Sequence, residues 1–137
     1  MADTFQLRIV TPRAQLLDEP VLEVTAPGTA GEFGVLPNHI TFLTSLEPGI
    51  ITVKAVAGTK RLAVRGGFAE VADNVMTILA DTAELTGDID RAGAEADLRT
   101  AQLRLEDLSL SPADPEYAAA QIDLRWAQAR IDGAKIH

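Results

Sequence analysis

The chain has 137 residues, of which 47% are apolar and only 4% aromatic, so one modest core must be built from aliphatic side chains. Acidic residues outnumber basic ones by 20 to 12, and the net charge of −8 argues against nucleic acid or anionic lipid as a direct partner. There is no cysteine, which excludes disulfides and thiolate metal sites. We expect no bilayer insertion, because no apolar run approaches the ~20 residues that span one.

The first part of the chain, to about Asp81, has apolar residues with a period of two, which predicts short strands with one buried face. Turn signals rich in Gly, Pro and Asn separate these strands at short intervals, so we predict an antiparallel β-sandwich over residues 1–86. The alternating apolar positions are Phe5, Leu7 and Ile9; Leu22, Val24 and Ala26; Ile51, Val53 and Ala55; and Leu62 and Val64.

Two segments late in the sandwich need separate interpretation. Gly66-Gly67-Phe68 has neither the following helix nor the lysine of a nucleotide-binding loop, so we predict a tight hairpin or bulge with Phe68 in the core. Residues 75–80 are apolar on both faces apart from Thr77, which predicts a central strand covered on both sides.

Residues 87–137 change to a helical period and predict an antiparallel two-helix hairpin. Asp88 or Asp90 is expected to cap the first helix, and Asp114-Pro115-Glu116 to begin the second. The predicted apolar stripes are Ala94, Leu98, Ala101, Leu105 and Leu108 on the first helix and Ala119, Ile122, Trp126 and Ala129 on the second.

Glu32 and His39 are the only candidates for acid–base or metal chemistry on one loop, but nothing nearby completes a coordination sphere. The other histidine is His137, at the far end of the sequence. We therefore predict no catalytic residue, no metal and no cofactor, and the alternative from spacing alone is a pair of solvated turn residues.

Two motifs, Gly31-Glu-Phe-Gly-Val-Leu-Pro-Asn-His39 and Val64-Arg-Gly-Gly-Phe-Ala-Glu-Val71, carry a family resemblance. They resemble the Gly-Glu-Leu-Gly-Ile-Leu-Pro-Gly-His loop and the Ser-Gly-Gly-Phe turn of the epsilon subunit of bacterial F-type (rotary) ATP synthases. The likeness continues through residues 75–84 into Asp88-Ile-Asp90. The family's fold is a β-sandwich followed by a helical hairpin, which agrees with the α+β architecture that the periodicity predicts.

The resemblance implies a non-catalytic subunit of the central stalk, which couples proton flow through the c-ring to ATP synthesis by binding the gamma subunit and the c-ring. It would lie peripherally on the cytoplasmic face of the bacterial inner membrane. By the same likeness, the loop at residues 31–39 is the interface, with Glu32 facing the polar loops of the ring and an apolar centre beside it. The implied interface residues are Glu32, Phe33, Val35, Leu36, Pro37, Asn38 and His39.

The sequence departs from the family's loop at two positions. Asn38 stands where Gly is common, and Asn tolerates a positive φ, so the turn can survive. Thr41 replaces a common Pro, which loosens the exit from the loop without removing the contact.

Many family members bind ATP in the hairpin through an Ile/Leu-Asp-x-x-Arg-Ala motif, and Ile89 and Asp90 match its start. Gly93 then stands where the arginine belongs, while Arg91 comes two residues too early and turns ~200° around the helix. A plain helix cap is therefore favoured over a nucleotide contact at Ile89 and Asp90. The resemblance also implies a contact between the hairpin and the beta subunit, but residues 88–137 carry ten acidic against six basic groups. We expect at most a weak effect on ATP hydrolysis.

A second class of function stays open on the sequence. The chain would then be a free-standing β-sandwich that binds another protein, with a helical hairpin that dimerises. Recovery of the gamma subunit in a pull-down distinguishes the two hypotheses.

Overall fold

The computed structural model describes residues 3–107 and 109–136. This part of the chain forms ten strands, followed by a 3-10 turn at Thr86–Asp88 and two helices, which confirms the predicted α+β order. The strands are β1 (Phe5–Val10), β2 (Gln15–Val21), β3 (Glu23–Gly28), β4 (Gly31–Val35), β5 (Phe42–Leu46), β6 (Gly49–Ala55), β7 (Gly58–Val64), β8 (Gly67–Ala72), β9 (Val75–Ala80) and β10 (Ala83–Leu85). The helices are α1 (Arg91–Glu106) and α2 (Pro115–Ile136).

The strands follow one hydrogen-bonded path in the order β10-β7-β6-β3-β5-β8-β9-β1-β2, with β4 paired to β3. Both halves of this path contribute to a single buried cluster, so the path is folded over into a sandwich. Neighbouring strands are antiparallel except β1 and β9, which run parallel and depart from the all-antiparallel prediction. Lys60 of β7 also reaches Glu19 of β2, at 3.1 Å, and so joins the two layers.

The core is aliphatic, as the composition requires. Alternate residues of β1, β6 and β7 point inward, because successive side chains of a strand project to opposite faces. The largest side chains without exposed surface are Leu7, Ile9, Val21, Val24, Val35, Ile51, Val53, Leu62, Val64, Val71, Met76 and Ile78.

The connection at Gly66-Gly67 is not the predicted hairpin. β7 pairs with β6 and β10, whereas β8 pairs with β5 and β9, so this connection crosses from one layer to the other. Gly67 has a φ of +133°, and a Cβ there would lie 2.0 Å from the carbonyl oxygen of Leu79. Phe68, predicted to be in the core, is 57% exposed, because the crossing directs Ala69 inward instead.

β9 is central, as predicted, since it lies between β8 and β1. The prediction that both its faces are covered is wrong, because Leu79 is 55% exposed while Met76 and Ile78 are buried. Asp73 and Asn74 form the reversal between β8 and β9. Both residues have positive φ, as a tight two-residue hairpin requires.

Each helix of the hairpin begins where the sequence indicated. The Asp90 carboxylate caps α1 by accepting from the N–H of Gly93 at 3.0 Å, and α2 begins at Pro115. The predicted stripe on α1 is confirmed, because Ala94 and Ala101 are buried and Leu98 and Leu105 are partly buried. Leu108, which was also predicted, lies outside the described residues. On α2, Ala119 and Ile122 are exposed, so that stripe was partly wrong.

The reason is that α2 has two buried faces. One packs against α1 and the other against β6 and β7 of the sandwich. The buried residues of α2 are Ala120, Ala127, Ala129, Ile131 and Gly133, and small residues permit close approach on both sides. A single helical stripe therefore cannot describe this helix.

Candidate protein interface

The segment at residues 31–39 is half strand and half loop. Its first part is β4, which pairs with β3 through a hairpin whose two-residue turn is Thr29-Ala30. β4 has no second hydrogen-bonded neighbour in the described residues, so Glu32 stands exposed on an edge strand. Two glycines in this stretch hide its strand character from a pattern search.

The interface residues predicted from the resemblance divide into buried and exposed ones. Val35 is fully buried in the sandwich core, so its side chain is not part of any outer surface, and that prediction is corrected. The inward direction follows from the strand alternation that continues to the end of β4. Leu36 comes next and is 58% exposed, and Ile40, which the sequence analysis did not single out, is 78% exposed.

The loop from Leu36 to Ile40, here called the end loop, is tied down by hydrogen bonds. The N–H of His39 donates to the carbonyl of Leu36 at 3.2 Å, and Asn38 has a φ of 63°, as expected for a residue in place of glycine. The N–H of Asn38 donates to Oδ1 of Asn74 at 2.7 Å. Asn74 in turn donates through Nδ2 to the carbonyl of Thr4 at 2.9 Å, so the end loop is joined to two other segments.

An aromatic cluster supports the end loop from beneath. The rings of Phe33 and Phe42 are tilted against each other with centroids 5.2 Å apart. His39 packs edge-on against Phe42 at 5.9 Å, and its Nδ1 lies 2.8 Å from the carbonyl oxygen of Ile40. The imidazole thus helps to fix the conformation of the end loop. Leu36 and Ile40 are the exposed apolar side chains of this loop.

A second apolar surface lies on the outside of the layer formed by β5, β8 and β9. Phe68 and Leu79 are directly opposite each other on β8 and β9, and both are more than half exposed. Leu43 on β5 lies on the same outer side and is 70% exposed. We call these three residues the outer face. Adjoining exposed apolar side chains on a sheet are typical of a protein contact.

Comparison with known proteins bears on the identity of this surface. Residues 4–86 match the family model described as ATP synthase, Delta/Epsilon chain, beta-sandwich domain. The ATP synthase epsilon chain 2 of Syntrophotalea carbinolica is 44% identical over 117 residues, covering 85% of this chain and 83% of the relative. The chain belongs to the family of ATP synthase epsilon chains.

Other relatives agree. The ATP synthase epsilon chain of Geobacter sulfurreducens is 43% identical over 117 residues, covering 85% of this chain and 83% of its own. Among solved structures, a chain of the Euglena gracilis mitochondrial ATP synthase OSCP/F1/c-ring superposes with a TM-score of 0.79 at 28% identity, covering 98% of this chain and 82% of its own. A chain of the Tetrahymena thermophila central stalk/c-ring, at 19% identity and a TM-score of 0.63 over 95% of this chain and 98% of its own, shares the fold.

Ile89 and Asp90, the two residues considered for nucleotide binding, are engaged in contacts within the fold. Asp90 caps α1, and Ile89 lies at the seam between hairpin and sandwich, where its Cδ1 is 3.1 Å from the place of a Cβ on Gly133. Arg91 pairs with Glu95 along the exposed side of α1, at 3.2 Å. Asp90 therefore acts as a helix cap, and Ile89 packs at the seam between the hairpin and the sandwich.

Residues 3–107 and 109–136 contain no group of three or more His, Asp or Glu side chains arranged to hold a metal ion. Neither α1 nor α2 is apolar enough over sufficient length to cross a membrane.

Proposed function

We propose that this chain is a rotor subunit of a proton-translocating ATP synthase, in which it joins the gamma subunit to the c-ring and performs no catalysis itself. Family membership supports the subunit role. The Euglena neighbour is a chain of an ATP synthase assembly that contains F1 and the c-ring. The complex would lie at the cytoplasmic face of a bacterial inner membrane, with this chain bound peripherally.

The observation that carries the proposal is the pair of exposed apolar surfaces on the sandwich. The end loop presents Leu36 and Ile40 at one end, and the outer face presents Leu43, Phe68 and Leu79 on one side. We assign the end loop to the c-ring, with Glu32 and Asn38 at its polar margin, and the outer face to gamma. Two surfaces in different directions suit a subunit held between two partners.

Transmission of torque requires a stiff body more than it requires chemistry. The end loop is braced by Asn74 and by the rings of Phe33 and Phe42, so little conformational freedom is lost when it binds. Its only histidine, His39, is engaged with Phe42 and the Ile40 carbonyl. The proposed role of these groups is therefore to position apolar anchors.

The hairpin is proposed to be at most a weak inhibitor of ATP hydrolysis. Its cationic side chains Arg125 and Arg130 pair with carboxylates of the sandwich, so they are engaged within the chain. A contact with the beta subunit would have to replace these pairs. The differential free energy available for such a switch is correspondingly small.

The test uses the rotor assembled with variants of the full chain. Leu36→Asp places a charge at the centre of the end loop, and Phe68→Asp does so on the outer face. A buried anchor is worth about 2 kcal/mol or more, so each should weaken association by roughly 30-fold. Leu36→Asp should act on binding to the c-ring, and Phe68→Asp on binding to gamma.

Leu103→Asp is the matched control, because Leu103 is an exposed leucine on α1 outside both surfaces. It should leave both affinities unchanged. Melting curves of the isolated variants confirm that each remains folded. Unchanged affinity of both Leu36→Asp and Phe68→Asp would show that the rotor contacts lie elsewhere.

A further inference from the structure

We propose that an ionic latch of three salt bridges holds the helical hairpin on the sandwich. The pairs are Arg65–Asp123, Arg125–Glu47 and Arg130–Glu84. Each joins a residue of the sandwich to a residue of α2. The latch can be tested on the isolated chain and does not depend on the rotor assignment.

The apolar part of the seam is thin. α2 meets β6 and β7 through small residues, and a Cβ on Gly133 would come within 3.1 Å of Ile50 Cδ1 and 3.0 Å of Thr86 Cγ2. Close approach of this kind shapes the contact, but alanine and glycine remove little apolar surface from water compared with leucine. The charged contacts therefore add to the preference for the closed hairpin.

Arg130 is the best-shielded member of the latch. Its side chain is 15% exposed, and its Nε donates to Oε1 of Glu84 on β10. The guanidinium also lies 3.5 Å from Oδ2 of Asp97 on α1 and 5.8 Å from the centre of the Trp126 ring. Because attraction between charges strengthens as water is excluded, this pair should contribute most.

The other two pairs are partly open to solvent and lie nearer the start of α2. Arg65 NH2 is 2.7 Å from Oδ1 of Asp123, and Arg125 NH2 is 2.6 Å from Oε2 of Glu47. Arg104 of α1 approaches the second carboxylate oxygen of Asp123 at 3.9 Å, so α1 is included in the network. Exposed pairs are individually weak and are screened by salt, which makes the latch sensitive to ionic strength.

The positions of the three charged residues on α2 favour one register of the hairpin on the sandwich. At Asp123 the helix supplies the anion and the sandwich the cation, whereas at Arg125 and Arg130 the polarity is reversed. A shift of α2 by four residues would place Ala119 or Ala127 opposite Arg65, and Gln121 or Ala129 opposite Glu47, so these pairs would be lost. The latch therefore specifies one docked position as well as stabilising it.

The experiment exploits the single tryptophan of the chain, Trp126, which is half-buried beside the latch. Acrylamide quenching of its fluorescence reports opening, and far-ultraviolet circular dichroism reports whether the helices persist. In the wild-type chain, quenching should rise as sodium chloride is increased from about 0.05 to 1 M. In a triple variant with Glu47→Gln, Glu84→Gln and Asp123→Asn, quenching should already be high at low salt and should change little as salt is added.

We expect the triple variant to raise the opening equilibrium constant on the order of tenfold or more at low salt. The matched control is Asp18→Asn, Glu19→Gln and Glu95→Gln, which removes the same number of charges from pairs within the sandwich or within α1. It should behave as the wild-type chain does. Equal quenching in the triple variant and the wild type at both salt extremes would overturn the latch.

A charge exchange gives a second test if the triple variant loses its helical signal. Arg125→Glu and Glu47→Arg should each open the hairpin alone, and the double variant should close it again. Rescue is expected only if the two side chains attract each other across the seam. If the double variant is as open as the single variants, the latch is refuted.

Discussion

The sandwich buries leucine, isoleucine and valine, whereas the hairpin buries mainly alanine. Leu7, Ile51 and Leu62 have no exposed surface in the sandwich, while Ala94 and Ala127 are typical buried residues of the hairpin. Full burial of a large aliphatic side chain contributes ~1.5–3 kcal/mol, against ~0.8 kcal/mol for one methylene. The sandwich therefore has its own core, and the hairpin depends on contacts with its neighbours.

The difference matches what each region is proposed to do. A braced sandwich with exposed Leu36 and Phe68 is suited to rigid binding. Most of the stability of helices in proteins comes from tertiary packing, so the two helices, of 16 and 22 residues, depend on the faces that they bury. Variants that open the hairpin should leave the sandwich largely intact, whereas variants that disrupt the sandwich should also release the hairpin.

The largest effect is expected at Gly67, where the sandwich crosses between its layers. Gly67→Ala would place a Cβ 2.0 Å from the Leu79 carbonyl oxygen, at a φ of +133°. Both β8 and β9 would have to move, so we expect a loss of more than about 3 kcal/mol in the free energy of unfolding. Urea denaturation provides the measurement.

Gly31→Ala is the control that separates the clash from the backbone strain. Gly31 has a similar φ of +123° but open space around its Cβ position. Its loss should be about 1–2 kcal/mol, from strain alone. Equal destabilisation of the two variants would contradict the steric account of Gly67.

Removal of the hairpin should have the next largest effect, and a moderate one. We predict that residues 1–86 fold cooperatively, because the buried cluster of the sandwich needs no helix residue. Without the hairpin, Ile50 and its neighbours on β6 and β7 are exposed, which should lower the free energy of unfolding of the sandwich by about 2 kcal/mol. A fragment without a cooperative thermal transition would show that the hairpin belongs to the core.

A small effect is expected from acid at the end of α1. Hydrogen bonds from the N–H of Ser109, and then from its hydroxyl, lower the pKa of the Asp107 carboxyl. A lowered pKa in the folded state gives stabilisation that is present at neutral pH and lost as the pH falls through that pKa. Asp107→Asn should therefore reduce the acid sensitivity of hairpin helicity slightly, as followed by circular dichroism.

The smallest effect is expected on ATP hydrolysis by the complete enzyme. Because Arg125 and Arg130 are engaged in the latch, deletion of residues 88–137 should change the hydrolysis rate by no more than the error of the assay. A severalfold rise on deletion would show that the hairpin restrains hydrolysis.

The alternating positions of β1, β6 and β7 were predictable because one of their faces is buried and the other is wet. The strand β4 was not predicted, because its two glycines interrupt the alternation of apolar and polar side chains. Without that strand, the sequence did not indicate that Val35 points into the core. Phe68 and Leu79 were assigned to the interior for a related reason. An exposed apolar face that binds another protein has the same apolar composition as a face in the core, so the sequence pattern does not distinguish the two.

The first residues of the two helices could be predicted from the sequence, whereas their buried side chains could be predicted only in part. Asp90 and Pro115 are local signals whose physics needs only the neighbouring backbone. The choice between Ala119 and Ala120 as the buried residue depends on where α1 and the sandwich lie. The latch was hidden for the same reason, since its partners are 46 to 78 residues apart in sequence.

In the proposed function, the sandwich couples the rotor and the hairpin is dispensable for this. The most direct measurement is ATP synthesis driven by a proton gradient in complete enzyme rebuilt with either the full chain or residues 1–86. We predict equal rates of synthesis per assembled enzyme. Loss of coupled synthesis with residues 1–86, in enzyme that has incorporated the fragment fully, would show that the hairpin is required for coupling.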